Sequence, residues 1–194
     1  MNHREQILDN LAQYVNLSEN EAGYFLSLLK MRRYKKKQYL VQTYDKTEFD
    51  FFLVEGLVKE YITDFEGKDY IIQFVKENEW TTDYDSFLTG KEAKLNIQAI
   101  EDVVTYAVNF ADLQLLMKTY PIFEKCYRVF FQQAYTSLQL RLVDYHAKTA
   151  EQRYIEFLEN EFELSQRLPQ HQIASYLGVS AEFLSKIRQK IASK

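Results

Sequence analysis

Apolar and polar positions change rhythm along this chain. Ile7, Leu8, Leu11, Tyr14 and Val15 recur at helical spacing and predict a short amphipathic helix. Ser18 with Glu21 makes a capping box, so a second helix is expected to run to about Lys30. The basic stretch 30–37 that follows suits a solvated strand or loop better than a nucleic-acid patch. Between Tyr39 and Val108 the rhythm drops to two. Phe49, Phe51 and Leu53 alternate, then Tyr70, Ile72 and Phe74, then Leu95, Ile97 and Ala99, with further strand candidates at 57–63 and 103–108. Residues 64–68 read as a hairpin loop in which Gly67 supplies positive φ. Residues 77–79 read as a polar turn, and 84–88 as one helical turn. Strands this short, with turns at this spacing, predict a small antiparallel barrel or roll.

After Asn109 the spacing becomes helical again. Leu113, Leu116 and Met117 share one side of a short helix. Pro121 then opens a long one, on which Phe123, Tyr127, Phe130, Ala134, Leu138, Leu142 and Tyr145 fall three and four apart. Cys126, Val129 and Leu140 widen this stripe beyond a single contact, so one flank is expected on the roll and the other on a partner helix. Thr149 with Gln152 forms another capping box, opening a helix that carries Tyr154, Ile155, Phe157 and Leu158. The expected hinge lies at 146–148, and 159–167 leads into the last segment.

That segment, 168–191, reads as two short helices joined by a tight turn. Pro169 suits a first helical position, and Ile173, Ala174 and Leu177 recur at helical spacing. Gly178 stands where a helix end requires positive φ. Ser180 can cap the second helix, with Glu182 in its first turn and Phe183, Leu184 and Ile187 on its apolar side. An ordinary αα-hairpin shares some of these features. All of them in register, with a polar outer face, point to a helix-turn-helix that binds double-stranded DNA. The candidate contacts are Gln170, His171, Ser180, Ala181, Glu182, Ser185, Lys186, Arg188, Gln189 and Lys190.

Charge sharpens this picture. The formal net charge is −4, which excludes a uniformly basic nucleic-acid binder. Yet residues 165–194 carry five basic side chains and one acid, a net of +4, leaving −8 on the first 164. A 46% hydrophobic composition supports a sizeable core, and 15% aromatic residues suit a strand-rich body. The single Cys126 has no partner for an internal disulfide or a multi-cysteine metal site, so it is expected in packing. No apolar run is long enough to cross a bilayer and the start is not a signal peptide, so a cytoplasmic protein without a membrane partner is expected.

The order of roll, long helix and helix-turn-helix resembles the cyclic-AMP receptor protein/Fnr (Crp/Fnr) family of bacterial transcription regulators. The likeness is carried by the stretches 74–80, 86–90, 97–102, 149–154 and 168–178 and extends over nearly the whole chain. It implies an α+β fold: an N-terminal antiparallel β-roll of the cyclic-nucleotide-binding, jelly-roll type with flanking helices at 1–119, a dimerisation helix and hinge at 120–147, and a small all-α helix-turn-helix domain at 148–194. It also implies a homodimer through Phe123, Tyr127, Phe130, Ala134, Leu138 and Leu142, an effector sensed by the roll, and RNA polymerase as a further partner.

The chain departs from the family pattern in three places. Cyclic-nucleotide binders open the phosphate cassette with Gly-Glu and grip the phosphate with an arginine followed by a small residue. The matching positions here are Asn78-Glu79 and Ala93-Lys94. The glycine and the arginine fork are both missing, and lysine is a poor geometric replacement. Cyclic AMP is therefore not expected as the effector. The effector pocket is expected at Glu79, Trp80, Thr81, Thr82, Tyr84 and Lys94, with Trp80 and Tyr84 filling space in the roll. Only Ala192, Ser193 and Lys194 follow Ile191, so a short form without the C-terminal wing is expected. In the second helix the family's Arg-Glu-x-x-x-Arg becomes Ala181-Glu182-x-x-x-Lys186, so a different target sequence is expected.

An enzyme is the main alternative of another class. His3, His146 and His171 all lie outside the strand region, and no P-loop, nucleotide-fold glycine motif or Ser/His/Asp set is visible. Neither an enzyme nor a metal site nor a bound cofactor is expected. The remaining alternative is a small-molecule sensor or interaction protein on the same fold with degenerate DNA binding.

Overall fold

The period-two stretch builds short strands, and the helical stretches flank and follow them. The computed structural model describes residues 2–192. Two compact units emerge: one holds the chain up to Ile62 together with Gln73–Gln133, the other Thr63–Ile72 together with the chain from Ala134.

In the first unit, α1 (His3–Ala12) starts on an Asn2 capping box, and α2 (Glu19–Leu28) on the Ser18/Glu21 box that the sequence predicts. The strands are β1 (Lys30–Tyr34), β2 (Tyr39–Val41), β3 (Phe49–Glu55), β4 (Val58–Thr63), β5 (Asp69–Val75), β6 (Trp80–Thr81), β7 (Asn96–Ala99) and β8 (Val103–Asn109). They form two four-stranded sheets, ordered β1-β8-β3-β6 and β2-β7-β4-β5. The basic stretch after Lys30 becomes the solvated edge strand β1, its charges facing water at an open sheet edge. Gly67 takes φ +81° in the loop between β4 and β5, as the hairpin requires.

Alternation sorts the β3 and β8 side chains onto two faces. Phe51, Leu53, Val103 and Ala107 meet Val58, Ile97 and Ala99 of the other sheet in a core between the sheets. Phe52, Val54, Val104 and Val108 face a second core beneath α1, α2, α4 (Phe110–Thr119) and the start of α5 (Ile122–Ala147). Cys126 is buried in this second core, in packing as expected. The single helical turn expected at 84–88 is α3 (Tyr84–Thr89).

The second unit is helical apart from the tip of the β4–β5 hairpin. After α5 come α6 (Ala150–Asn160), α7 (Phe162–Arg167), α8 (Gln170–Tyr176) and α9 (Ala181–Ala192). The Thr149/Gln152 box caps α6. Helix α7 had no rhythm of its own in the sequence. Its core comprises Tyr154, Phe157, Leu164, Leu168, Ile173, Ala174, Leu177, Leu184 and Ile187. Pro169 stands one place earlier than expected: its ψ of 143° is extended, so it precedes α8 instead of opening it. No helix is long and apolar enough to cross a membrane among the described residues.

Candidate functional site

Helices α8 and α9 form the helix-turn-helix. All ten candidate contacts, Gln170, His171, Ser180, Ala181, Glu182, Ser185, Lys186, Arg188, Gln189 and Lys190, are exposed. Ser180 Oγ accepts the N–H of Phe183 and caps α9. The Glu182 carboxyl is held below its usual range by its own backbone N–H and the Ser180 hydroxyl, so it is an acceptor at neutral pH. Lys186 and Arg188 have no hydrogen-bond or ion-pair partner among the described residues. Lys190 differs: its ammonium pairs with Glu151 of α6. One sequence expectation is corrected here. Leu184 and Ile187 are buried as expected, but Phe183 is 49% exposed and joins the outer face of α9. Its neighbours Leu184 and Ile187 already fill the contact with α8, which left no signal in the spacing.

Two residues fix how this helix pair is held. Gly178 takes φ +71°, and a Cβ there would come within 3.2 Å of the Tyr145 ring, so glycine is required twice over. Arg153 was not singled out from the sequence, since an arginine on an amphipathic helix looks like surface. Its Nη1 donates to the carbonyls of Tyr145 and Lys148 at 3.2 and 2.7 Å, and its Nη2 to that of Leu177 at 3.1 Å. One guanidinium thus ties the end of α5 and the turn before α6 to the helix-turn-helix. Ser175 of α8 donates to the Asp69 carbonyl at 2.9 Å and accepts the Ile71 N–H at 3.1 Å, tying α8 to the hairpin tip.

The effector cassette is arranged differently from the expectation. Asn78, at the family's glycine position, adopts φ +71°, and its carbonyl accepts from Asn10 Nδ2 at 2.8 Å. Glu79 turns its Oε2 back to the Lys76 N–H at 3.0 Å. Trp80 and Tyr84 do not fill the space between the sheets. Trp80 donates its indole N–H to Asn10 Oδ1 and packs on Phe52 and Phe25, while Tyr84 packs on Phe131, both beneath the helices. The reason is register: Trp80 lies opposite Phe52, whose side of β3 faces the helices. Thr82 donates to the Phe49 carbonyl. Lys94 points outward and pairs with Asp85 at 2.7 Å, so it does not take the place of the phosphate-gripping arginine.

Asp83 holds this segment together. It is buried, one oxygen accepting the Ser86 N–H at 3.0 Å and the other the N–H groups of Lys94 and Leu95 at 2.7 and 3.0 Å. An acidic residue immediately before a predicted helical turn was the available signal. Between the sheets, Thr81 lies opposite Phe51 and donates to Glu60 Oε1 at 2.6 Å; both are buried. Glu60 interrupts the inward run of β4 after Val58, an exception that only the register made visible. Beneath the helices, Asp50 is 1% exposed and accepts from Tyr127 at 3.2 Å and Tyr84 at 3.5 Å. Desolvation pushes its pKa up to about 7.

The expected dimer face divides into two parts along α5. Phe123 is fully buried in its own chain, Tyr127 hydrogen-bonds to Asp50, and Phe130 packs edge-on against Tyr14. Further along that face Ala134 is exposed, and Leu138 and Leu142 line a groove with α6 and α8. The expected seam thus packs on its own chain at Phe123, Tyr127 and Phe130, while Leu138 and Leu142 remain 46% and 54% exposed. On the opposite face Val129, Gln133, Thr136, Leu140, Val143 and Ala147 follow one another at steps of four and three, with Leu140 and Val143 62% and 59% exposed.

Residues 31–120 match the cyclic nucleotide-binding domain family. The chain as a whole has the fold of Crp/Fnr regulators, the α+β arrangement that the sequence resemblance implies. The c-di-GMP-responsive global regulator CLP of Xanthomonas campestris superposes with a TM-score of 0.75, covering 91% of this chain and 92% of its own at 12% identity. A mutant of CooA from Carboxydothermus hydrogenoformans gives 0.72, with 96% and 84% covered at 18% identity. FixK2 of Bradyrhizobium japonicum gives 0.65, with 85% of each chain covered at 22% identity. At these identities the likeness is one of fold. No curated protein matches the chain in sequence.

Proposed function

We propose that this chain is a sequence-specific DNA-binding transcription regulator that works as a homodimer and does not respond to cyclic AMP. The observation that carries this reading is the outer face of α9. It presents Lys186 and Arg188 without partners among the described residues, beside Glu182, on a helix pair held by Arg153 and turned at Gly178. Glu182 and Lys186 lie four apart and so address neighbouring bases, Glu182 accepting from cytosine and Lys186 donating to guanine. Phe183 is suited to a thymine methyl group. The regulators that share the fold, the c-di-GMP-responsive CLP among them, support a regulatory role.

The dimer in this reading forms through the Val129, Thr136, Leu140 and Val143 face of α5, half-buried at Val129 and exposed at the other three. The cassette supports the exclusion of cyclic AMP. The Lys94 and Leu95 N–H groups already hold Asp83, Lys94 holds Asp85, and no arginine stands in their place. Selection from random duplexes tests the main claim. The expected product is an inverted repeat with half-sites about 10 base pairs apart or a multiple of that. Enrichment of no motif would overturn it and leave a sensor with degenerate DNA binding. Calorimetry with cyclic AMP should show no binding at physiological concentration, and micromolar binding lost in Glu79→Ala would overturn that exclusion.

A further inference from the structure

Neither the DNA-reading face nor the free seam of α5 uses the groove on the helical unit. It encloses about 450 Å³, within the range of roughly 300–1,000 Å³ common for small-molecule sites. Leu138 and Leu142 of α5, Phe157 of α6 and Tyr176 of α8 wall it, Arg141 and Arg153 are among its charged lining residues, and Glu161, which has a partner of its own, also lies in the lining. The acids on its rim are satisfied: Asp144 and Glu156 each lie 2.8 Å from Lys148 Nζ. The basic groups are not. Arg141 has no partner among the described residues, and the buried Nε–H of Arg153 has no acceptor. Apolar walls beside an unpaired guanidinium complement a molecule with an apolar body and one negative head. A neutral hydrocarbon would leave Arg141 unused, and a polyanion would set its charges against apolar walls.

We propose that this groove binds a small organic acid, with its carboxylate on Arg141 and its apolar body between α5, α6 and α8. In the dimer proposed above the seam lies on the opposite face of α5, which leaves this groove open to a small molecule. The occupant touches α8, so its presence fixes the seat of the helix-turn-helix. That consequence rests on the DNA-binding reading, whereas the binding itself does not.

The test is calorimetry on the full chain without DNA, using decanoate, decylammonium and decanol below their aggregation limits. One decanoate should bind per chain, with decylammonium and decanol at least about tenfold weaker. Arg141→Gln should weaken decanoate about tenfold or more at an unchanged melting temperature, and Arg141→Lys should restore part of the loss. Decylammonium binding as tightly as decanoate would overturn the proposal, as would an unchanged affinity in Arg141→Gln or no saturable binding at millimolar acid. A dimer that Leu138→Glu dissociates would place a second copy in the groove and overturn it as well. Since no DNA is present, a failure here leaves the DNA-binding reading untouched, and a failed duplex selection leaves this one untouched.

Discussion

The cassette in the roll and the outer face of α9 treat their polar groups in opposite ways. In the roll, groups that could meet a ligand meet one another: Asp83 holds three backbone N–H groups, Glu79 holds Lys76, and Trp80 holds Asn10. In the helical unit, Lys186, Arg188 and Arg141 have no partner among the described residues. A buried polar group without a partner costs about 1–3 kcal/mol, so a cassette that nothing fills must satisfy itself. A surface that reads another molecule must do the reverse, because only an unsatisfied donor gains from the encounter.

The sharpest way to break this comparison lies on α5, whose two faces belong to the two regimes. Leu140→Glu with Val143→Glu should give monomers in light scattering and weaken operator binding by roughly 10²–10⁴-fold, since two linked half-sites become one. Leu138→Glu should leave the dimer intact. The opposite pattern would return the seam to the face first read from the sequence.

Asp50 tests how far the roll tolerates a buried charge. Its folded pKa of about 7 lies above the ordinary carboxylate value. Between the two values the folded chain keeps a proton that the unfolded chain has lost, so stability falls as pH rises through that window. The contribution lost by pH 8 is on the order of 4 kcal/mol relative to pH 4. Urea denaturation should show this decline in the wild type and a much flatter profile in Asp50→Asn. Equal slopes in the two would mean that the carboxyl of Asp50, between Tyr84 and Tyr127, is not desolvated.

Asp83 tests the self-satisfied cassette directly. Asp83→Ala strands the N–H groups of Ser86, Lys94 and Leu95 and should cost roughly 2–4 kcal/mol in denaturant melts. Asp83→Asn, which keeps one acceptor oxygen, should cost about half of that. A neutral Asp83→Ala would show that the segment does not depend on this carboxylate.

The smallest effects separate the charges of α9. Lys186→Ala should relax base preference at one position by about 1–3 kcal/mol. Arg188→Ala should weaken all sequences alike and lower the salt dependence by about one unit of slope. Lys190→Ala should move that slope less, because Glu151 already neutralises the ammonium. Identical slopes for Arg188→Ala and Lys190→Ala would mean that the ion pair opens on DNA.

Much of this was legible in the order of residues, because the signals are local. Capping boxes at Ser18 and Thr149, the loop glycine Gly67, the turn at Gly178 and the period-two run in the middle each depend on neighbours within a few positions. The exposed face of α9 was legible for the same reason, apart from Phe183. Arg153 was not, because one of its three carbonyl partners, Leu177, lies 24 residues away in the chain.

By itself, then, the sequence determined most of the elements, their order, the two-helix unit with its exposed polar face and the lack of an arginine at the position of Lys94. Each of these follows from residue identity and short-range spacing. Only the tertiary structure decided that the start of α5, at Phe123 and Cys126, packs into the core of its own chain. Apolar residues ring that helix, and spacing cannot say which of them its own chain will cover. The same holds for Trp80 and Tyr84, whose side of the sheet follows from the pairing of Trp80 with Phe52, a strand partner distant in sequence. It holds for Asp83 as well, whose bonds to Lys94 and Leu95 close a loop of more than ten residues. Long-range pairing sets these contacts, and local pattern carries no record of it.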